Sequence, residues 1–582
     1  EQQKIDCYII PTDDYHHSEY VGDYFKFREY ITGFTGSAGT AVFTKDKAGL
    51  WTDGRYFIQA EAQLKGSGIT LYKSGESDVP TIEEFLKSEL KEGDVLGFDG
   101  RTVTYAQGKR YCHIADENGA SLKYSLDFAQ NIWKERPEMS LKPVFSLEDE
   151  YTGEKIGSKL ERIREIMKEN GCNAHVLSSL DDIAWLLNIR GNDIAYCPLV
   201  LSYAIVYNNS VELFADIRKF SDDIINLLAE NQVKIYPYED IYRKVSEMTS
   251  EDKLLLDSSI MNYSLYQSIS KETVIVDKQN PEILMKSVKN ETQAENLRKA
   301  HLKDAVAHTK FMYWLKKNIG RVEITELSAS ARLEGLRAEQ EHFLGPSFGP
   351  ISAYGEHGAI VHYSADEKSN VPLKEGKLFM TDTGGHYLEG STDITRTVAL
   401  GEVGNIEKEH FTLVARAMLR LANTVFLYGC SGANLDCIAR EVFWKEGLNF
   451  NHGTGHGVGY LLNIHEGPIN FRWKEGERPA PALEENMVIT DEPGIYIEGS
   501  HGIRLENELL VRKTVKNEYG QFMNFEILTY VPIDLDAILP EKMSTEEKEM
   551  LNHYHKQVYE KVSPYLSEEE RIWLKEYTRA VK

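Results

Sequence analysis

The stretch His452-Gly-Thr-Gly-His456-Gly-Val-Gly459 decides how this sequence is read. Two histidines stand four residues apart among four glycines. Glycine lets a backbone turn tightly and come close to a ligand, so these glycines are expected to let a ligand approach the chain. Taken alone, the stretch fits a metal held by both histidines, and it fits core histidines with no ligand. Acidic residues on either side separate the two readings. Asp382-Thr-Gly-Gly-His-Tyr-Leu-Glu-Gly-Ser-Thr-Asp393 comes before it, and Asp491-Glu492-Pro493-Gly494 and Ile503-Arg504-Leu505-Glu506-Asn507 come after it.

Working outward, residues 377–382 and 392–400 read as strands. A hairpin between them would set Asp382 and Asp393 opposite each other on one face. Two ionised carboxylates in that position repel unless something cationic lies between them. The plain alternative is two unrelated acids at a hairpin mouth. Residues 487–490 form a further strand, with Glu492 just before the Pro493 that ends it. Glu506 lies inside an apolar strand spanning 503–511. A carboxylate there is costly to bury unless it pairs with Arg504 or binds a metal. Together Asp382, Asp393, Glu492, Glu506 and His456 offer four carboxylates and one imidazole, whose charge two divalent cations would balance. Oxygen ligands with one nitrogen suit manganese, cobalt or zinc, and not copper or an iron–sulfur centre.

Composition bounds the rest. The 582 residues, 42% hydrophobic and 27% charged, are those of an ordinary globular protein, with room for about three or four domains. A net charge of −25 repels phosphate backbones, which argues against a nucleic-acid partner. Six scattered cysteines, none in a Cys-x-x-Cys pair, argue against a thiolate zinc site or a disulfide framework and fit a reducing cytosol. No run of about 18 apolar residues suggests a membrane span. The first residues show no apolar signal region, and the missing Met suggests that a few native residues precede Glu1.

In chain order, residues 1–142 alternate strand and helix signals, with a capping box at Thr81-Ile-Glu-Glu84 opening a helix. Residues 143–290 repeat that order: a helix from Ile156, a strand at 174–178, an acidic-aromatic segment, and a hairpin of 200–206 with 211–214. Two copies of one α/β domain are expected. The third region, 291–582, starts with a long helix to about Lys317 carrying Ala300, Ala305, Ala307, Phe311 and Leu315 on its apolar face. A charged helical extension follows from about 540.

The four motifs, in this order, resemble the pita-bread metallopeptidases, which include methionine aminopeptidase, prolidase and aminopeptidase P. The resemblance extends over nearly the whole chain and points to the long, cytosolic, three-domain Xaa-Pro aminopeptidase branch. Gly33-Phe-Thr-Gly-Ser-Ala-Gly-Thr40 and Trp51-Thr-Asp-Gly-Arg55-Tyr-Phe match its first domain. Ala359-Ile-Val-His362-Tyr and Asn463-Ile-His465-Glu-Gly-Pro match its catalytic domain. The short gap between Glu492 and Glu506 fits this branch better than prolidase. The resemblance implies an α/β protein of two creatinase-type domains and a pita-bread catalytic domain.

It also implies a ligand set. Asp382 and Asp393 would bind one metal, His456 and Glu492 the other, with Asp393 and Glu506 bridging. The family commonly uses manganese; cobalt and zinc remain possible from the residues. Two metals roughly 3.5–4 Å apart would share a hydroxide that attacks the carbonyl before proline, with Glu492 taking the water's proton. His362 and His452 would donate to the substrate carbonyl or the oxyanion, and His465 would line the proline side. Arg55 would reach the peptide's far end, and Arg504 would support Glu506. The expected substrates are peptides with proline second, and the expected assembly is a homodimer. The alternatives are a prolidase limited to Xaa-Pro dipeptides, or a pita-bread module that binds peptides without chemistry.

Overall fold

Alternating apolar segments separated by short turns build two compact units, one of residues 1–147 and 155–282, the other of 148–154 and 283–582. The computed structural model describes residues 4–474, 476 and 479–582.

The N-terminal unit contains one sheet plan twice. The first sheet consists of β1 (Cys7–Pro11), β2 (Thr40–Thr44), β3 (Ala48–Thr52), β4 (Thr70–Lys73), β5 (Val95–Phe98) and β6 (Ser121–Lys123), in the order β4-β3-β2-β1-β5-β6. The second consists of β7 (Ala174–Leu177), β8 (Tyr203–Tyr207), β9 (Val211–Phe214), β10 (Val233–Tyr236), β11 (Lys253–Leu256) and β12 (Val274–Asp277), in the order β10-β9-β8-β7-β11-β12. Strand directions match as well. In each sheet the central strand is antiparallel to the hairpin that follows it and parallel to the strand on its other side. The expected duplication is therefore present in topology, although the residues differ. The capping box at Thr81 is also formed: its hydroxyl accepts the Glu84 N–H, and the Glu84 carboxylate accepts the Thr81 N–H.

The C-terminal unit opens with α1 (Glu291–Asn318), whose Asn290 side chain caps the Gln293 N–H. Ala300, Ala305, Ala307, Phe311 and Leu315 are buried, as their spacing predicts. The next helix is α2 (Glu326–Ala338). Three strands, β13 (Ile351–Tyr354), β14 (Lys377–Thr383) and β15 (Ile394–Leu400), form one antiparallel sheet. Helices α3 (Asn405–Ala422) and α4 (Gly432–Trp444) follow. The larger sheet uses β16 (Phe426–Leu427), β17 (Gly455–Gly457), β18 (Glu466–Phe471) and β19 (Val488–Asp491). Strands β20 (Gly494–Ile497) and β21 (His501–Arg504) make a separate two-stranded ladder. Then β22 (Asn507–Asn517) and β23 (Gly520–Ile527) complete the larger sheet, in the order β16-β23-β22-β19-β17-β18. Phe311, Phe379, Val398, Val414, Met418, Ile489 and Leu509 belong to one apolar cluster that joins helices and sheets.

Two expectations about strands need correction. Residues 503–511 are not one strand. The chain leaves the two-stranded ladder after Arg504 and enters the larger sheet at Asn507, so Glu506 sits at the crossing. Its N–H donates to the Thr395 carbonyl, which ties the crossing to β15. The two aspartates are also not directly opposite. Asp382 faces Thr395 across β14 and β15, so Asp393, two residues earlier, is its diagonal neighbour on the same face.

The C-terminal segment folds back as α5 (Thr545–Val562) and α6 (Glu568–Tyr577). Leu551, Tyr554, Val558 and Val562 enter the same apolar cluster. The Tyr554 hydroxyl donates to the Val531 carbonyl at 2.6 Å and accepts from Arg396 Nη2 at 2.7 Å. Arg396 is fully buried and also donates to the Glu506 carbonyl and to Asn507 Oδ1.

Candidate metal centre

Four elements bring the acidic motifs together. Asp382 comes from the end of β14, Asp393 from the entry to β15, Glu492 from the exit of β19, and Glu506 from the crossing before β22. His456 stands on β17. Its Nε2 lies 3.5 Å from Asp393 Oδ2 and 3.9 Å from Glu492 Oε1. Asp393, His456 and Glu506 each offer an atom within 4.8 Å of the other two.

The cluster is graded in depth. Glu506 and Asp393 are 1% and 4% exposed, whereas the side chains of His456 and Glu492 are 18% and 20% exposed. The deep end is therefore walled in, and the His456–Glu492 side opens to solvent. Burial, followed by the charges of Asp382, Glu492 and Glu508, pushes Asp393 well above the usual carboxylate range. Burial, then Asp393, Glu492 and Asp382, does the same to Glu506. Burial pushes Glu492 up to about 7, against the opposing pull of Arg504. Buried like charges in mutual contact call for a cation. Two buried oxygens, Asp382 Oδ1 and Glu506 Oε1, also have no hydrogen-bond donor. The donor set and these orphaned oxygens fit divalent ions.

The two histidines of the glycine stretch differ in what they hold. His456 Nδ1 donates to the Gly457 carbonyl at 2.9 Å. Its Nε2 therefore carries a lone pair toward the carboxylates, the tautomer a metal requires. Burial also keeps this ring far below its ordinary pKa, and so neutral. His452 Nδ1 donates to the Gly453 carbonyl at 2.7 Å, and its Nε2 accepts from the Tyr496 hydroxyl at 2.9 Å. Burial, aided by Arg504, lowers it to about 3. Both of its ring nitrogens are engaged and neither turns an N–H toward the cluster, so the expected donation to substrate from His452 finds no donor atom in this geometry. Two of the glycines also have a packing role. A Cβ at Gly455 would overlap the Thr490 carbonyl, and one at Gly457 the Glu466 carbonyl. Gly455 and Gly457 make room for neighbouring strands.

Arg504 corrects another expectation. It pairs with Asp382 at 2.5 Å, not with Glu506. Its Nη1 donates to Tyr496 at 2.7 Å. It reaches Glu506 only through Thr395, whose hydroxyl accepts from Arg504 Nε at 3.3 Å and donates to Glu506 Oε2 at 2.8 Å. His465 places its ring 4.2 Å from that of His456, edge to face. His362 lies on an exposed loop, near enough for its charge to bear on His452. Arg55 belongs to the N-terminal unit and is paired with Asp53 through two hydrogen bonds of 2.8 Å.

Sequence reasoning missed three supporting residues. Tyr496 and Thr395 look like ordinary strand residues. Glu508 accepts the Asp393 N–H at 2.6 Å and lies 3.1 Å from the buried His301.

Comparison with known proteins agrees with this geometry. Sequence models described as Creatinase/Prolidase N-terminal domain match residues 1–123 and 135–293. The model of metallopeptidase family M24 matches 295–513, and that of the C-terminal region of peptidase_M24 matches 521–581. Aminopeptidase P1 of Arabidopsis thaliana is 35% identical, over 99% of this chain and 97% of its own. Xaa-Pro aminopeptidase 1 of Dictyostelium discoideum is 36% identical, over 97% and 92%. The crystal structure of X-prolyl aminopeptidase from Caenorhabditis elegans, described as a cytosolic enzyme with a di-nuclear active site, superposes with a TM-score of 0.93 at 34% identity, covering 99% of this chain and 95% of that one. With its acidic cluster, its two N-terminal sheets and relatives of this length and identity, the chain belongs to metallopeptidase family M24, among the long Xaa-Pro aminopeptidases.

Proposed function

We infer that this chain removes the N-terminal residue from peptides whose second residue is proline. The observation that carries the reading is the acidic cluster itself: four carboxylates and a neutral imidazole, deep on one side and open on the other. Asp382 and Asp393 are the proposed holders of one divalent ion, His456 and Glu492 of the second, with Asp393 and Glu506 between them. Manganese is the proposed metal. When bound, the ions supply Lewis acidity and acidify water.

The chain's own residues do the rest. Glu492, on the open side, is the group to take a proton from water and return it toward the proline nitrogen; a tertiary amide nitrogen leaves poorly without one. His362 is the proposed donor to the carbonyl oxygen as charge builds on it, a contribution of about 10²–10³ in rate. His452 is held by Tyr496 and Gly453, and shapes the substrate side as a neutral ring. His465, beside His456, is assigned to the proline side. Arg504 fixes Asp382 and Tyr496 together, so both the ligand side and the substrate side depend on one guanidinium.

A cytosolic location and a homodimer complete the proposal. No helix among the described residues is long and apolar enough to cross a membrane. Light scattering checks the assembly. The activity is checked by comparing an Xaa-Pro-Pro tripeptide with Gly-Pro in the presence of manganese. Hydrolysis of the tripeptide is expected; cleavage of the dipeptide alone would overturn the reading.

A further inference from the structure

Glu326 is the first residue of α2, immediately after its Thr325 cap. Its side chain is fully buried. A buried carboxylate without lysine or arginine is costly unless several donors converge on it. Here four do. Oε1 accepts the Tyr354 N–H at 2.7 Å and His357 Nδ1 at 2.9 Å. Oε2 accepts the Tyr363 hydroxyl at 2.9 Å and the Val371 N–H at 3.4 Å. The helix N-terminus adds favourable dipole charge at the same place. Its backbone is used too: the Glu326 carbonyl accepts the Ser352 hydroxyl at 2.7 Å, and its N–H donates to Val371 at 3.2 Å.

All four donors to the carboxylate, two from side chains and two from the backbone, come from residues 354–371, the segment that carries His362. Tyr363 is the next residue along, and His357 stacks on its ring at 4.5 Å between centroids. On the other side of His362, the Val361 carbonyl accepts Arg504 Nη2 at 3.5 Å. His362 lies between these two anchored neighbours on the same loop. We propose that Glu326 is a positioning residue: its buried carboxylate gathers the 354–371 loop and thereby presents His362 to the substrate. This rests on the reading of His362 as the substrate-side donor.

The test is a double-mutant cycle on Xaa-Pro-Pro hydrolysis with manganese, using Glu326→Ala, His362→Ala and the pair, with bound metal measured in each. Glu326→Gln and Tyr363→Phe serve as milder variants should Glu326→Ala fail to fold. Misplacing a reacting group by about 1 Å costs on the order of 10²-fold, so Glu326→Ala should lower kcat by about that factor with KM little changed and two metals retained. Adding it to His362→Ala should cost nothing further. Equal losses in both backgrounds, loss of metal, or wild-type kcat in all three Glu326 and Tyr363 variants would overturn the proposal. Wild-type activity in His362→Ala would instead overturn the reading of His362 on which it rests. Amide exchange across 354–371 gives a readout independent of turnover: faster exchange confined to that loop is expected in Glu326→Gln, and unchanged exchange counts against the proposal.

Discussion

The N-terminal unit and the metal centre both bury charge, and they do it by opposite rules. In the N-terminal unit two deeply buried acids each meet a base. Asp193 pairs with Lys219 at 2.7 Å, and Glu282 with His175 at 3.2 Å, all essentially without solvent. At the metal centre acids meet acids. The largest charge effects on Asp393 come from Asp382, Glu492 and Glu508, all of which raise its pKa. A fold that pairs these acids with bases, yet gathers four carboxylates of which only Asp382 is paired with Arg504, marks where a cation belongs. The lesson is local: composition and net charge are silent on it, and only the pairing shows it.

The largest effect that could break this contrast is expected from Asp393→Ala or Glu506→Ala. Each should abolish hydrolysis, by more than about 10⁴-fold, the scale seen when one member of a concerted catalytic group is removed. Dinuclear metal binding should vanish with it, as metal analysis would reveal, while the metal-free protein should melt no lower because a like charge has gone. A fully active variant would refute the ligand assignment. Lys219→Met is the counterpart in the N-terminal unit. Stranding Asp193 should cost about 3–5 kcal/mol in denaturant unfolding of that unit, and bound metal per folded chain should be unchanged. Next is Arg504→Gln, which releases Asp382 and Tyr496 together. A loss of 10–100-fold in manganese affinity, roughly the range for outer partners of ligands, should appear in a metal titration.

The smallest effect is a pH dependence. Burial lifts Glu492 from 4.5 to about 7 in the folded protein. The folded state then holds its proton more tightly than the unfolded state. Its contribution to stability is thus full below pH 4.5 and lost as pH rises through 7. A cation competes with protons for the same oxygens. The rise in Tm on adding manganese should therefore be larger at about pH 8 than at about pH 5, by a few degrees. A manganese effect that shrinks with rising pH would contradict the charge argument.

Much of this was legible in the sequence, for identifiable reasons. The long helix from Glu291 and the strands around Asp382 and Ile489 announce themselves by periodicity. The repeated order of elements foretold the duplicated sheet although the residues diverge. What could not be read was register and partnership. Nothing in Ile503-Arg504-Leu505-Glu506 says that the chain changes sheets between the arginine and the glutamate, because both halves are apolar and extended. Arg504 looked like a partner for Glu506 because it was near in sequence; its partner is Asp382, 122 residues away. His452 and His456 look alike in sequence, and only the atoms facing their ring nitrogens tell them apart. Glu326 carries no motif at all, since what distinguishes it is the convergence of four donors from a loop some thirty residues downstream.

The hydrogen bonds of Tyr554 bear on how the protein is made. Its hydroxyl closes a buried set with Arg396, whose guanidinium holds the backbone of Glu506 and the side chain of Asn507. Tyr554 lies 47 residues downstream of Asn507. A chain still emerging from the ribosome has every acidic ligand already synthesised, yet lacks the contact that completes the support of Glu506. Folding from the N-terminus during synthesis thus leaves the support of Glu506 incomplete until the segment that carries Tyr554 has been made.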